Sequence, residues 1–356
     1  MFFNIWLRLT YFFSDFWEYL LLCTVSFLVF VFAFYKIYKS NYSERRKKIL
    51  LAIVFAFFLI VIVFSMFEAY FRYRYDESDG LGFLQVSQKW NQRHVVYNGA
   101  FFRDRNFEDK KKPGVIRIGV LGDSLTFGAG IKNVNNRFSN ILEKELKDSG
   151  YNVEVYNLGK PGYDIDGEIE VYNKEKYLNF DIVVWEYFIN DIQPRNSTGS
   201  PIITKSSQRT KILEFISKKS FFLDYLYWRF SSVYDATIHD LEDADVDQYK
   251  NQKRLKVFEQ QVSDFISSLK ADNKKVVVVM FPSVALLGNN YPTFITDKMV
   301  KLYKKNDVPV INLYPYYKNK KPEELKASRF DTHPNEKVHK LAADLLYEQI
   351  VKQIKK

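Results

Sequence analysis

The stretch Val115-Ile116-Arg117-Ile118-Gly119-Val120-Leu121, followed at once by Gly122-Asp123-Ser124-Leu125, decides the reading of this chain. A short run dominated by branched apolar residues predicts a strand buried on both faces. The glycine, acid and serine that follow place polar chemistry at the carboxyl end of that strand. Beyond them, residues 137–147 have the spacing of an amphipathic helix.

Four more runs of the same kind lie further along: Val153–Leu158, Asp181–Phe188, Lys275–Phe281 and Val308–Leu313. Helical patterns fall between and after them, at 166–178, 206–230, 249–272, 294–305 and 335–354. Strands alternating with helices predict parallel βαβ units covered on both faces. The expected architecture is a three-layer α/β/α sandwich around a five-stranded parallel sheet. In open sheets of this kind, sites form outside the carboxyl ends of the strands. The residues expected there include Gly122-Asp123-Ser124, Gly159 to Gly162, Asn190-Asp191 and Pro282-Ser283.

Those positions carry a coherent chemistry. A serine hydroxyl is a weak nucleophile and needs a base within hydrogen-bond reach. Ser124 sits where a strand ends and a helix begins, so its own amide can face a developing oxyanion. Taken alone, it reads better as a helix N-cap. His333 lies in Asp331-Thr332-His333-Pro334-Asn335, with Asp331 two residues away and able to orient its ring. Asn190 follows the third strand, where a side-chain amide can donate to the same oxyanion. Each of these has an ordinary reading as a turn or cap. Nucleophile, glycine, amide and histidine in this order, each at a strand end or in the last loop, is a coincidence those readings do not explain.

Composition sets the remaining bounds. The chain has 356 residues, 47% of them hydrophobic and 17% aromatic, which is high for a soluble enzyme. Its single cysteine, Cys23, rules out a disulfide framework and a thiolate metal site. Four histidines (His94, His239, His333 and His339) leave little for a histidine-rich metal cage and few bases near neutral pH. The formal net charge is +10, but no nucleic-acid motif accompanies it and no nucleic-acid partner is expected. Part of the charge is local. Lys36, Lys39, Arg45, Arg46, Lys47 and Lys48 face only Glu44 in the segment 36–48.

That basic segment separates two apolar stretches, about 19–38 and 49–68, each near the length a membrane-crossing helix needs. Residues 1–70 therefore read as a transmembrane hairpin. The basic loop 36–48 is expected in the cytoplasm by the positive-inside rule, which leaves the rest of the chain outside it. Residues 71–114 read as a stem or N-terminal wrap, and 115–356 as the catalytic domain. Within it, 195–272 is a long helical excursion. Its aromatic segment Phe221–Phe230 reads as a helix packed on the sheet, a lid or a membrane-contacting helix. The acidic stretch Asp240–Asp247 reads as a solvated loop.

From about 115 to 354 the chain resembles the SGNH/GDSL hydrolase family, whose fold is a flavodoxin-like α/β/α sandwich. The first family block matches Gly122-Asp123-Ser124-Leu125, and the resemblance implies that Ser124 is the nucleophile. The second block places an oxyanion-hole glycine at Gly162, in Asn157-Leu158-Gly159-Lys160-Pro161-Gly162-Tyr163. The third, usually Gly-x-Asn-Asp, is Phe188-Ile189-Asn190-Asp191 here, keeping Asn190 without the glycine. The last, usually Asp-x-x-His, is Asp331-Thr332-His333, one residue shorter. These departures, with Asn98-Gly99-Ala100-Phe101-Phe102-Arg103-Asp104 before the first strand, resemble a membrane-anchored bacterial subgroup. The resemblance implies acyl transfer through Ser124, His333 and Asp331, with the oxyanion held by Ser124, Gly162 and Asn190 and no metal or organic cofactor. Three functions follow. One is an esterase removing acyl groups, acetyl above all, from an envelope glycan or lipid. Another is an O-acyltransferase served by a multipass membrane acyl-donor partner. The third is a non-catalytic binding module, against which the intact Ser124 and His333 argue.

Overall fold

The computed structural model describes residues 2–194, 211–288 and 291–355. The chain divides into two compact units, one of residues 1–76 with 210–229, the other of 77–209 with 230–356.

The first unit is built on helices α1 (Phe2–Lys39) and α2 (Glu44–Tyr73). Both are long and apolar enough to cross a membrane, over Asp15–Lys39 and Glu44–Tyr73. They extend beyond the expected 19–38 and 49–68, because the basic residues do not form a loop. Lys36 and Lys39 end α1 and Arg45–Lys48 begin α2, which leaves residues 40–43 as the turn. Facing surfaces of the two helices meet through stacked rings, Phe30 on Phe58 at 5.1 Å, and through a Cys23–Ser65 hydrogen bond of 3.2 Å. Large apolar side chains elsewhere on both helices, such as Leu28, Phe32, Phe57 and Ile60, are exposed, as lipid-facing positions are.

Two short helices complete this unit, α7 (Lys211–Lys219) and α8 (Phe221–Phe230). Glu68 of α2 is fully buried and caps α8. It accepts the Ser220 hydroxyl at 2.6 Å and the amides of Phe221 and Phe222 at 3.1 Å each, and Arg72 pairs with it at 3.0 Å. Phe222 stacks on Phe67 with ring centroids 5.0 Å apart. The aromatic segment Phe221–Phe230 is thus a helix that packs within this unit. Its rings find apolar partners on α2. Residues 206–210 of the expected helix, and 195–210 of the excursion, lie outside the described residues.

The second unit holds the parallel sheet. Its strands are β1 (Ile116–Leu121), β2 (Val153–Asn157), β3 (Ile182–Tyr187), β4 (Lys275–Met280) and β5 (Val310–Asn312), in the order β2-β1-β3-β4-β5. All pairings are parallel. Side chains alternate between two cores with the strand period. Along β3, Ile182 and Val184 enter one core while Val183 and Trp185 enter the other. One face is covered by α5 (Phe138–Asp148) and α12 (Glu336–Lys355). Phe138, Leu142 and Leu146, and Val338, Ala342, Leu346 and Ile350, form their buried stripes at helical spacing. The other face is covered by α6 (Ile165–Glu175), α10 (Gln252–Ala271) and α11 (Thr293–Lys305). This is the three-layer sandwich expected.

Two elements differ from the sequence reading. A helix α3 (Gln85–His94) stands in the segment read as a stem. The acidic stretch Asp240–Asp247 is not a loop but part of α9 (Val233–Lys250). Its alternating acids hide a helical register in which Tyr234, Ile238, Leu241, Glu242, Asp245 and Tyr249 fall on one side. Tyr234, Glu242 and Tyr249 are buried.

Candidate active site

The order β2-β1-β3 reverses the direction of sheet growth between β1 and β3, which opens a crevice at their carboxyl ends. Ser124 follows β1 and starts the four-residue helix α4 (Ser124–Phe127). Gly122 before it has no alternative, since a Cβ there would overlap the Thr126 hydroxyl and the Glu186 carboxylate. Asp123 is fully buried. It accepts the Leu125 amide at 2.9 Å and so caps the turn that displays the serine.

His333 reaches Ser124 from the far end of the chain. It lies on β7 (Asp331–Pro334), which pairs antiparallel with β6 (Lys326–Ser328) in a small ribbon. Its Nε2 is 2.8 Å from the Ser124 Oγ, and its Nδ1 is 2.5 Å from Asp331 Oδ1. The shortened Asp-x-His spacing works because both residues are on one extended strand, where the Asp331 carboxylate turns back to accept the His333 amide too, at 3.1 Å. Burial of the His333 ring disfavours its charged form, but the Asp331 carboxylate outweighs this, and the imidazole sits above its ordinary value.

Asn190 lies in the turn after β3, and its Nδ2 donates to Asp123 Oδ2 at 3.0 Å. One N–H of that amide is thereby fixed on Asp123. Asp191 closes the same turn by accepting the Phe188 amide at 3.1 Å. Gly162 has φ +75°, a conformation that costs a residue with a Cβ, and lines the cavity beside Ser124. Among the described residues neither the Ser124 nor the Gly162 amide has a backbone acceptor. The structure therefore brings Ser124, Gly162, Asn190, His333 and Asp331 to the rim of one cavity of about 610 Å³.

Behind Ser124 lies a feature with no trace in the sequence pattern. Asp123, Glu168, Glu186 and Asp191 are all buried, and burial pushes every one of them up, with repulsion from neighbouring carboxylates adding to it at Glu168, Glu186 and Asp191. Glu186 accepts the Asp123 amide at 3.2 Å and Glu168 accepts the Trp185 indole at 2.6 Å.

Other supports come from before β1. Arg103, in the segment singled out by its Phe-Arg-Asp residues, is buried and bonds carbonyls of Gly128, Ile131 and His94 at 2.6–2.7 Å, holding the chain that leaves α4. Burial lowers its guanidinium to about 10. Asp104 accepts the Asn157 amide at the end of β2, at 2.7 Å. The Gly80 amide donates to the Phe330 carbonyl at 2.9 Å. The Tyr234 hydroxyl bridges that carbonyl and Asp79, so the strand carrying Asp331 and His333 is clasped from two sides. His339, by contrast, is a structural histidine. Its Nδ1 accepts the Phe138 amide at 3.2 Å, and burial drives it down to about 3, so it stays neutral.

The sequence profile of the GDSL-like lipase/acylhydrolase family matches residues 120–341. No curated protein matches the sequence. Solved structures similar to this chain include the psychrotrophic esterase EstA from Pseudoalteromonas sp., at 13% identity, covering 67% of this chain and 99% of that one, with a TM-score of 0.41. The lipase/acylhydrolase from Enterococcus faecalis is similar at 16% identity, over 67% of this chain and 96% of that one, with a TM-score of 0.41. The acetyl xylan esterase AlAXEase is similar at 16% identity, over 66% of this chain and all of that one, again with a TM-score of 0.41. A profile that spans more than half of the chain, over a sheet that carries the family's blocks at its strand ends, makes this protein a member of the GDSL-like lipase/acylhydrolase family.

Proposed function

We propose that the protein is a serine esterase that removes acyl groups, acetyl above all, from a glycan or lipid of the cell envelope through an acyl-serine intermediate. The observation that carries this reading is the line Ser124 Oγ, His333 Nε2, His333 Nδ1, Asp331 Oδ1, with contacts of 2.8 and 2.5 Å, opening on a cavity. In this reading Ser124 attacks the ester carbonyl and His333 takes its proton. Asp331 steadies the imidazolium. The amides of Ser124 and Gly162 and the second N–H of Asn190 hold the oxyanion. Its collapse expels the alcohol, which takes the proton from His333. Water then attacks the acyl-serine with His333 again as base, which frees the acid and restores the serine.

The same geometry serves a second fate for the acyl group, transfer to a bound hydroxyl in place of water. The test is one assay with two arms, the purified chain with an aryl acetate in water, with and without a glycan acceptor. Hydrolysis in water that is abolished by Ser124→Ala supports the esterase. Product formed only with acceptor supports the transferase. Activity that survives Ser124→Ala overturns both.

The basic ends of α1 and α2 around the turn 40–43 favour a cytoplasmic turn and an extracytoplasmic catalytic unit. Protease added outside cells with a permeable outer layer then cuts after residue 70. Protection would reverse the orientation.

A further inference from the structure

The wall of the cavity contributed by α9 is not used by the chemistry above. Ile238, Leu241, Glu242 and Asp245 line it at helical spacing, with Gln193 beside them. Glu242 is only 9% exposed, and its Oε2 has no hydrogen-bond partner. The Gln193 amide donates to Asp245 at 2.5 Å, and its own Oε1 is likewise buried and unpartnered. Buried acceptors without partners are costly, and in a ligand cavity they mark where a ligand's hydroxyls bind. Burial raises Glu242 to about 8 and Asp245 to about 6. Glu242 is therefore largely protonated near neutral pH, able both to donate and to accept, as a sugar hydroxyl is.

Two further facts bear on the ligand. Tyr163 follows the oxyanion-hole glycine and lines the cavity with a ring that is 37% exposed. A Cβ on Gly167 would press into that ring, so the glycine leaves it a seat. An exposed ring at a cavity rim suits the apolar face of a pyranose. The carboxyl groups lining the cavity are Asp79, Asp164, Glu242, Asp245 and Asp331, while no lysine or arginine lines it among the described residues, in a chain with an excess of both. Four of these acids are engaged, Asp79 with Tyr234, Asp164 with the Gly167 amide, Asp245 with the Gln193 amide and Asp331 with His333. Asp245, raised only to about 6, stays largely ionised near neutral pH and lines the ligand space beside the neutral Glu242, so a phosphate or a uronate there would meet its repulsion.

We infer that Glu242 and Asp245, with Gln193 and Tyr163, form the subsite for the alcohol part of the ester, and that this part is an uncharged polyhydroxyl group, a neutral glycan residue rather than an anionic glycan or a phospholipid. The inference rests on the reading of Ser124 as the nucleophile.

The test uses the full chain in detergent and three esters: an aryl acetate, an acetylated neutral oligosaccharide and an acetylated oligosaccharide of uronic acids. The wild type should prefer the neutral over the uronate ester by at least about tenfold in kcat/KM. In Glu242→Ala the ratio of kcat/KM on the neutral glycan ester to that on the aryl acetate should fall by about tenfold or more, chiefly through KM. Glu242→Gln, which keeps a donor and an acceptor, should restore part of it. The double variant E242Q/D245N should narrow the gap between neutral and uronate esters. These ratios do not depend on how much protein folds. An unchanged glycan-to-aryl ratio in Glu242→Ala, or a wild type that prefers the uronate ester, overturns the inference. Aryl acetate turnover that survives Ser124→Ala overturns the nucleophile assignment instead.

Discussion

Two glutamates, one in each compact unit, are nearly removed from solvent, and they differ in what their oxygens meet. Glu68, near the end of α2, has both oxygens occupied, by a hydroxyl, two amides and a guanidinium. Glu242, on α9, keeps an oxygen with no partner. The first arrangement has nothing left to offer a ligand, and its energy is spent on holding α8 to α2. The second lies beside a cavity and is incomplete by itself. At the same cavity the Ser124 and Gly162 amides have no backbone acceptor among the described residues, and the Asn190 side-chain oxygen is buried without a partner. A buried polar group that is satisfied within the chain is structural, and one left open at a cavity is where chemistry is to be sought.

Substitutions can break or sharpen this contrast. The largest effect is expected at the open site. Ser124→Ala should lower aryl acetate turnover by about 10⁴-fold or more, with thermal unfolding unchanged within error. A loss below tenfold would remove Ser124 from the chemistry. The satisfied site should behave in the opposite way. Glu68→Ala removes one of the two carboxylates paired with Arg72, leaving Asp15, and uncaps α8, and should cost the first unit about 1–3 kcal/mol. Limited proteolysis in detergent, read at 211–230, should show that segment released while aryl acetate turnover per folded molecule holds. An unaltered cleavage pattern would mean that Glu68 is not the clasp.

Asn190→Ala comes next. It should reduce kcat by about 10²–10³-fold with little change in KM, as loss of one oxyanion donor does. If KM rises instead, the amide binds substrate in its ground state. The smallest expected change is in pH dependence. His333 acts as base only when neutral, so kcat/KM should fall as pH drops through its ionisation. Since the Asp331 carboxylate holds the imidazole above its ordinary value, that midpoint should lie above the ordinary histidine value of 6.5. Asp331→Asn should move the midpoint down, besides slowing the reaction. A midpoint that does not move would exclude direct contact between the two in solution.

Much of the sheet was legible because a strand buried on both faces must be continuously apolar. The five runs lie within a residue or two of β1 to β5. Helices on the sheet were legible where one face is apolar, as at 138–148 and 336–355. The helix 233–250 was not, because the face it presents to the cavity carries acids, and acids in sequence read as solvent. The segment 77–104 was marked only by its Asn98–Asp104 resemblance, and its role in the fold was opaque. Its contributions are a glycine amide, an aspartate and an arginine that bonds carbonyls, and none of these leaves a periodic signature. The Asp-x-His spacing was legible as a departure from the family pattern. Only the extended strand β7 shows how two residues suffice, by turning the Asp331 side chain back onto the ring.

By itself, the sequence determined the parallel sheet, the two apolar helices and the residue types at each strand end, because hydrophobic period and local turn chemistry are properties of neighbours along the chain. Only the tertiary structure decided that Ser124 and His333, 209 positions apart, meet at 2.8 Å, that four carboxyl groups lie buried behind them, and that an acidic helix faces their cavity. These depend on which surfaces pack together, and burial, not residue type, sets whether a carboxyl group is a solvated charge or a neutral donor awaiting a ligand.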